Sequence, residues 1–292
     1  MDEKTPKILV PIGFSEQSIL ALQNALHYAK ALKAEIVLLS VIEEAGILGR
    51  LFSSSEEGEL ENMKKKIEDK LKEIATEYSR KGNVSITTMM ANGVVYEEIA
   101  RVAELLDVEM VIMGTNGRPG NFQKRMIGSN AYRVVASVKA PVVTVKGVIN
   151  PDKLDTIIFP IVLDRKSKEK VAPAIHYARL FNAKIKVVAV ANSETERKKL
   201  RPHVEQVSKF FRSKDVNADH EIIPSEGKKL HEAILDYGVQ NQGDLVMIME
   251  DTDESTIRLF GSDAEKFVYF ADFPVMCITP SFSRYENMFA NW

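Results

Sequence analysis

The stretches ILVPI at residues 8–12 and ALHYAKALKAEI at residues 25–36 decide the fold of this chain, because both recur in its second half. IIFPI at residues 157–161 and AIHYARLFNAKI at residues 174–185 repeat them at one common offset and without a gap. Self-similarity of this kind within one chain is the signature of a repeated structural unit. The sequence therefore indicates that the second half is a copy of the first.

Two further pairs of segments match in the same order. GSNAYRVV at residues 128–135 corresponds to GSDAEKFV at 261–268, and PVVTV at 141–145 corresponds to PVMCI at 274–278. Four collinear matches favour duplication over chance, and a chain of 292 residues has the length of two domains. We predict two domains and a C-terminal tail, at residues 1–148, 152–281 and 282–292.

Each copy alternates apolar strand segments with amphipathic helix segments. KILVP at residues 7–11 is a short apolar run, typical of a strand that is buried on both faces. Residues 15–32 place apolar side chains at helical spacing, and Ser15 suits the N-cap. The alternation continues to a fifth strand, PVVTV, and the second copy repeats it. The pattern predicts an α/β fold with two tandem, doubly wound, five-stranded parallel-sheet domains of Rossmann-like type.

Composition excludes several classes of function. The formal net charge of -2 is spread over both signs, so no basic field for nucleic acid is expected. No apolar stretch approaches the roughly 20 residues that span a bilayer, and the first residues lack a signal-peptide pattern. Cys277 is the only cysteine, which excludes an intrachain disulfide and favours a buried, inert thiol. The expected location is the cytoplasm, without a nucleic-acid or membrane partner.

The loop after the fourth strand of the first copy, GTNGRPGNFQKRMIGSN at residues 114–130, carries the candidate site. Its glycines let backbone approach a ligand, and residues 128–129 open the next helix, whose free N–H groups suit an anion. Arg118, Lys124 and Arg125 add positive charge. Parallel sheets bind ligands beyond the carboxyl ends of their strands, which favours a phosphate-binding loop. The alternative is a tight surface loop whose serine only caps a helix, since neither the Walker A nor the dinucleotide pattern is present.

The order of elements, the VPxxFS segment after the first strand and the loop pattern resemble the universal stress protein family, once per copy. The resemblance implies a nucleotide-binding α/β fold related to the adenine-nucleotide alpha-hydrolases. ATP-binding members carry G-x2-G-x9-G-[ST]. Gly114, Gly117, Gly128 and Ser129 match it, except that ten residues fill the long gap.

The resemblance also implies positions that contact the base. Val41 fits the position that packs near adenine, whereas Gly13 stands where ATP-binding members have an Asp. The missing carboxylate predicts weaker recognition, while a phosphate site made by the backbone could persist. The implied ligand is ATP, with Mg. The predicted nucleotide-binding residues are Pro11, Ile12, Gly13, Val41, Met113, Gly114, Asn116, Gly117, Arg118, Gly128, Ser129 and Asn130.

The second copy departs further from the family pattern. Its alignment with the first places Glu250 and Asp253 at the positions of Gly114 and Gly117, and Val162 at that of Gly13. Carboxylates there would repel a triphosphate, so we predict that the second domain does not bind ATP. A divalent-cation site in this acidic segment is an alternative, but the spacing is not that of an EF-hand and a solvated acidic loop is favoured.

The resemblance implies a stress-response protein, and since no catalytic constellation is evident, we predict that it has no strong catalytic activity. The alternatives are an interaction scaffold that binds no nucleotide and a weak ATPase. His27 and His176 occupy equivalent helical positions, which favours a structural role, whereas exposed positions are predicted for His220, Glu221 and His231.

Family members commonly dimerise through their last strands. Since both copies lie in one chain, we expect residues 141–145 and 274–278 to pair antiparallel as an intrachain pseudo-dimer. Further homo-oligomerisation is left open, and so is the role of the tail. The extra loop of the first copy, residues 44–58 before a charged helix from Glu59, is a candidate lid or contact surface.

Overall fold

The computed structural model describes residues 5–43, 57–115, 130–146, 153–162, 170–250 and 263–279. Within these ranges the first half of the chain alternates strands and helices as predicted. Its elements are β1 (Lys7–Pro11), α1 (Glu16–Leu32), β2 (Glu35–Ile42), α2 (Glu57–Gly82), β3 (Ile86–Asn92), α3 (Val95–Leu106), β4 (Met110–Gly114), α4 (Asn130–Ser137) and β5 (Val142–Val145).

The second half repeats the same order of elements, as the internal matches predict. These elements are β6 (Thr156–Pro160), α5 (Val171–Phe181), β7 (Lys184–Ala191), α6 (Glu194–Ser213), β8 (Ala218–Pro224), α7 (Leu230–Gln240), β9 (Leu245–Met249), α8 (Asp263–Phe270) and β10 (Val275–Ile278). The charged helix α2 begins at Glu57, two residues earlier than predicted. The rest of the extra loop, residues 44–56, and the predicted tail lie outside the described residues.

All ten strands form one sheet in the order β3-β2-β1-β4-β5-β10-β9-β6-β7-β8. Every neighbouring pair is parallel except β5 and β10, which run antiparallel with Val143 opposite Met276. The predicted pairing of the last strands is confirmed. The chain therefore builds within itself an arrangement of two similar domains about a pseudo-two-fold axis.

The core lies on both faces of this sheet. Alternate strand residues face opposite sides: Ile8 and Val10 lie on the side of α1, α2, α5 and α6, whereas Leu9 lies on the side of α3, α4, α7 and α8. Each of the two cores contains buried residues of both domains. The domains consequently share their apolar packing as well as their sheet.

Helices also meet across the domain boundary. His27 of α1 stacks on Phe181 of α5 with ring centroids 4.9 Å apart, and Tyr28 meets the same ring edge-on at 5.0 Å. On the opposite face α4 contacts α8, and Lys146 forms an ion pair with Asp272 at 3.0 Å. His27 thus has the structural role that its repeated position predicts.

Among the described helices, none combines the length and the apolar composition that a membrane span requires.

Candidate functional site

The predicted site residues of the first domain gather at one edge of the sheet. β1 pairs with β2 on one side and with β4 on the other, and the connections from β1 and β4 lead to helices on opposite faces. Strand order reverses at this point, which opens a crevice beyond the carboxyl ends of the strands. The structure brings the following predicted residues to this edge: Pro11, Ile12 and Gly13 after β1, Val41 in β2, Met113 and Gly114 in β4, and Asn130 at the start of α4.

The end of β1 leaves an open position beside β2. The N–H of Ile12, a buried residue, donates to the carbonyl oxygen of Leu39 at 2.8 Å. Since Pro11 pairs with Leu39, continuing this register places Gly13 level with Val41. A Cβ at Gly13 would meet no atom of the described residues within 4 Å, and Gly13 itself is exposed. The position that carries the family's carboxylate is therefore sterically free.

The end of β4 is closed by backbone. A Cβ at Gly114 would overlap the carbonyl oxygen of Gln17 and lie 2.9 Å from the backbone nitrogen of Ser18. The first turn of α1 therefore packs directly on this glycine, which any side chain would push away. The next residue, Thr115, is buried, and its N–H donates to the Val145 carbonyl at 2.9 Å. Main chain rather than side chain forms the wall of the crevice here.

Helix α4 begins where the predicted phosphate loop ends. Asn130, its first residue, is exposed, while Ala131, Val134 and Val135 are buried against the sheet. The helix therefore presents its first turn at the same edge of the sheet as Gly13 and Gly114. Outside the described residues lie Asn116, Gly117, Arg118, Lys124, Arg125, Gly128 and Ser129.

The strand register corrects the predicted alignment of the second domain. Val145 pairs with Gly114, and its counterpart Ile278 pairs with Met249. The N–H of Glu250 donates to the Ile278 carbonyl one residue further along, at 2.8 Å. Met249 therefore stands in place of Gly114, and the assignment of Glu250 to that position was wrong by one residue. The hydrogen bonds between neighbouring strands show which residues of the two domains are equivalent. A sequence alignment does not show this where the two segments differ in length.

A buried lysine fills the corresponding region of the second domain. The ungapped match places Lys170 at the position of Ala21 of α1. Its Nζ donates to the carbonyl oxygen of Pro160 at 2.6 Å and to that of Met247 at 3.3 Å. It also lies 4.6 Å from the ring centroid of Phe159, a cation–π distance. The ammonium group thus bridges the end of β6 and the middle of β9.

The prediction that Glu250 belongs to a solvated acidic loop was wrong. It is 1% exposed, and the hydroxyl of Tyr132 in the first domain donates to its Oε1 at 3.1 Å. Burial, and to a smaller extent the charge of Glu250, raises the pKa of the Cys277 thiol well above its usual value. The prediction of a buried, inert cysteine is confirmed. Asp251, Asp253 and Glu254 lie outside the described residues.

The residues His220, Glu221 and His231 do not come together as ligands of a metal ion. His220 and Glu221 are exposed as predicted, but His231 is buried, with its ring 5.1 Å from that of Phe270. The prediction of exposure for His231 was wrong because it lies on the face of α7 that packs towards α8. Within the described part of the chain, no three His, Cys, Asp or Glu side chains form a group that could hold a metal ion.

Sequence reasoning missed two features of these sites. Lys170 had a signal, since a lysine aligned without a gap to an alanine in a helix that packs on the sheet is conspicuous. The bond between Tyr132 and Glu250 had none, because the two residues are 118 positions apart and meet only through the pairing of β5 with β10.

Comparison with known proteins gives a family match for the first half of the chain and a fold match for both halves. The Universal stress protein family profile matches residues 4–146. A universal stress protein of Methanocaldococcus jannaschii is 31% identical over 140 residues, covering 48% of this chain and 81% of that protein. The crystal structure of a universal stress protein from Archaeoglobus fulgidus covers 94% of this chain and 96% of that chain, at 19% identity and a TM-score of 0.75.

A second structure from Archaeoglobus fulgidus is a universal stress protein in complex with dAMP. It covers 43% of this chain and 98% of that chain, at 19% identity and a TM-score of 0.36. The archaeal sequence match over most of that relative's length, together with the fold shared across both domains, shows that the chain belongs to the universal stress protein family.

Proposed function

We propose that this chain is a stress-response protein whose first domain binds an adenine nucleotide, ATP being the expected ligand, and whose second domain binds none. The support is one observation: at the switch point of the first domain, the crevice is walled by main chain at Gly114 and open at Gly13. A crevice of this kind at the end of parallel strands is the usual place for a nucleotide.

The proposed ligand lies with its base near Val41 and Met113 and its phosphates towards residues 114–130. Apolar side chains at the first end suit a purine ring, and the free N–H groups at the start of α4 suit an anion. Gly13 offers no carboxylate to the ligand, so we expect weaker binding than in a site that has one. No catalytic residue is part of the proposal.

In the second domain, side chains stand where the first domain has none. Met249 takes the place of Gly114, and the ammonium of Lys170 lies on the carbonyl oxygens of Pro160, at the end of β6, and of Met247, within β9. A phosphate group would need the backbone that these side chains cover. We therefore expect one nucleotide per chain.

A second candidate, an interaction scaffold without a nucleotide, is favoured by the absent carboxylate at Gly13. The two functions differ in a titration of Mg-ATP into the protein by calorimetry. Binding with a stoichiometry of one supports the nucleotide site, whereas no heat at millimolar ATP, with no nucleotide released from denatured protein, supports the scaffold.

The Gly13→Asp variant sharpens this test. Because a Cβ at Gly13 meets open space, the new carboxylate fits without moving the backbone, and we expect ATP affinity to rise about tenfold, as for one hydrogen bond to a charged group. Val162→Asp, the same change at the equivalent position of the second domain, is the matched control and should leave affinity unchanged. Equal gains in both variants would contradict a site confined to the first domain.

A further inference from the structure

We propose that the second domain positions the anion-binding end of α4 in the first domain, and that Glu250 does so through the hydrogen bond that it accepts from Tyr132. This inference rests on the proposed function, since it concerns the affinity of the same site for the phosphates of a nucleotide. Tyr132 is therefore a positioning residue, and Glu250 acts on the site through it.

Helix α4 depends on contacts made by the rest of the protein. It has eight residues, and helices of this length are not stable in isolation. Its buried residues hold one face on the sheet, and the helix also packs along α3 of the same domain. Contacts at its two ends add restraints on the position of its first N–H groups.

Both ends of α4 are held by side chains of the second domain. Near its start, the Tyr132 hydroxyl donates to Glu250 Oε1 at 3.1 Å. Just past its last residue, the carbonyl oxygen of Lys139 accepts a hydrogen bond from Thr279 Oγ1 at 2.6 Å. The helix that opens at the proposed phosphate site is thus fixed between two residues of the other domain.

The contact at the start of α4 has the greater influence on the site. Tyr132 lies two residues after Asn130, within the turn whose N–H groups are free for an anion. Glu250 is buried, so the hydrogen bond from the phenol to its carboxyl oxygen is shielded from water. Removing the phenol hydroxyl leaves this carboxylate with one donor fewer, and the first turn can then shift. The helix-terminal field falls off within one turn, so a small shift weakens the contact with phosphate.

The test compares ATP with adenosine, which lacks the phosphates. In the full chain, Tyr132→Phe should weaken ATP binding about five- to tenfold, the equivalent of one lost hydrogen bond, and leave adenosine binding unchanged. Glu250→Gln, whose amide oxygen still accepts, should lose less. Tyr96→Phe removes a hydroxyl that bonds to exposed Glu97 in the same domain, and it is the matched control with no expected effect.

The outcomes separate the two proposals. If the wild type binds neither ATP nor adenosine, the proposed function fails and the inference fails with it. If the wild type binds ATP and Tyr132→Phe binds it equally well, only the inference is overturned. Equal losses for ATP and adenosine also overturn it, because the effect then does not act through the phosphates. Faster hydrogen exchange of the backbone amides of residues 130–137 in Tyr132→Phe would support the positioning of α4 without any ligand. If Tyr132→Phe does not fold, the binding of ATP and adenosine is compared in Glu250→Gln instead.

Discussion

The carboxyl edges of the sheet in the two domains are formed by equivalent strands, but backbone lines the first edge where side chains occupy the second. In the first domain, Gly114 lets the first turn of α1 lie directly on β4, and Gly13 leaves an opening. In the second, Met249 replaces that glycine, and Lys170 bridges the end of β6 and the middle of β9. Duplication thus preserved the sheet, whereas the crevice depends on a few positions where side chains are absent. A fold can be kept by apolar patterning alone, but a site made of backbone is lost when a side chain enters it.

Giving the end of β4 the methionine found at the end of β9 should have the largest effect on stability and binding. Gly114→Met places a side chain where α1 backbone already lies, so we expect a loss of about 3 kcal/mol in the free energy of unfolding and loss of ATP binding. Urea denaturation and calorimetry measure the two effects. Gly13→Ala, which enters open space, should change stability by less than about 0.5 kcal/mol. An equally stable Gly114→Met protein would show that the close approach of α1 does not constrain this position.

Replacing Lys170, the buried lysine of the second domain, should have an intermediate effect on stability. Lys170→Met deletes two hydrogen bonds to carbonyl oxygens and a cation–π contact, so we expect a loss of about 2 kcal/mol in the free energy of unfolding. Lys198→Met, at an exposed position of α6, is the matched control and should stay within about 0.5 kcal/mol. A stabilised Lys170→Met protein would mean that burying the ammonium costs more than its contacts return.

The smallest effect concerns the pH dependence of the domain boundary. Burial lowers the pKa of His176, although the charge of Glu109 in the first domain acts in the opposite direction. The unfolded chain therefore binds a proton first as the pH falls through about 6.5, and the free energy of unfolding decreases from there towards the lower pKa of the folded state. His176→Leu should flatten this decrease in a urea series from pH 8 to pH 5. His203→Leu, at an exposed position, should leave it unchanged, and the reverse result would contradict a role for His176.

Much of the fold was predictable because it follows local rules. Short apolar runs such as KILVP and amphipathic segments such as residues 16–32 determine their own secondary structure, and the internal matches order them twice. The pairing of β5 with β10 came from the family resemblance and is confirmed. The first domain's predicted site could be placed at one sheet edge, because parallel strands bring their carboxyl ends together.

The second domain's site was harder to predict for a geometric reason. Its equivalences depend on which residues share hydrogen bonds with β10, and a shift of one residue moved Glu250 out of the crevice and into contact with Tyr132. A sequence alignment contains no information on these hydrogen bonds, so it does not fix the strand register. The burial of His231 was missed in the same way, since the helix face that meets α8 is set by packing.

The sequence by itself determined the duplication, the α/β class and the glycines of the first domain, because these are properties of pattern and of residue type. Only the tertiary structure decided that Gly114 lies against α1, that Lys170 donates to the carbonyl oxygen at the end of β6 and that Glu250 reaches across to Tyr132. These contacts join residues far apart in the chain, and their distances depend on how the helices pack on a sheet shared by both domains.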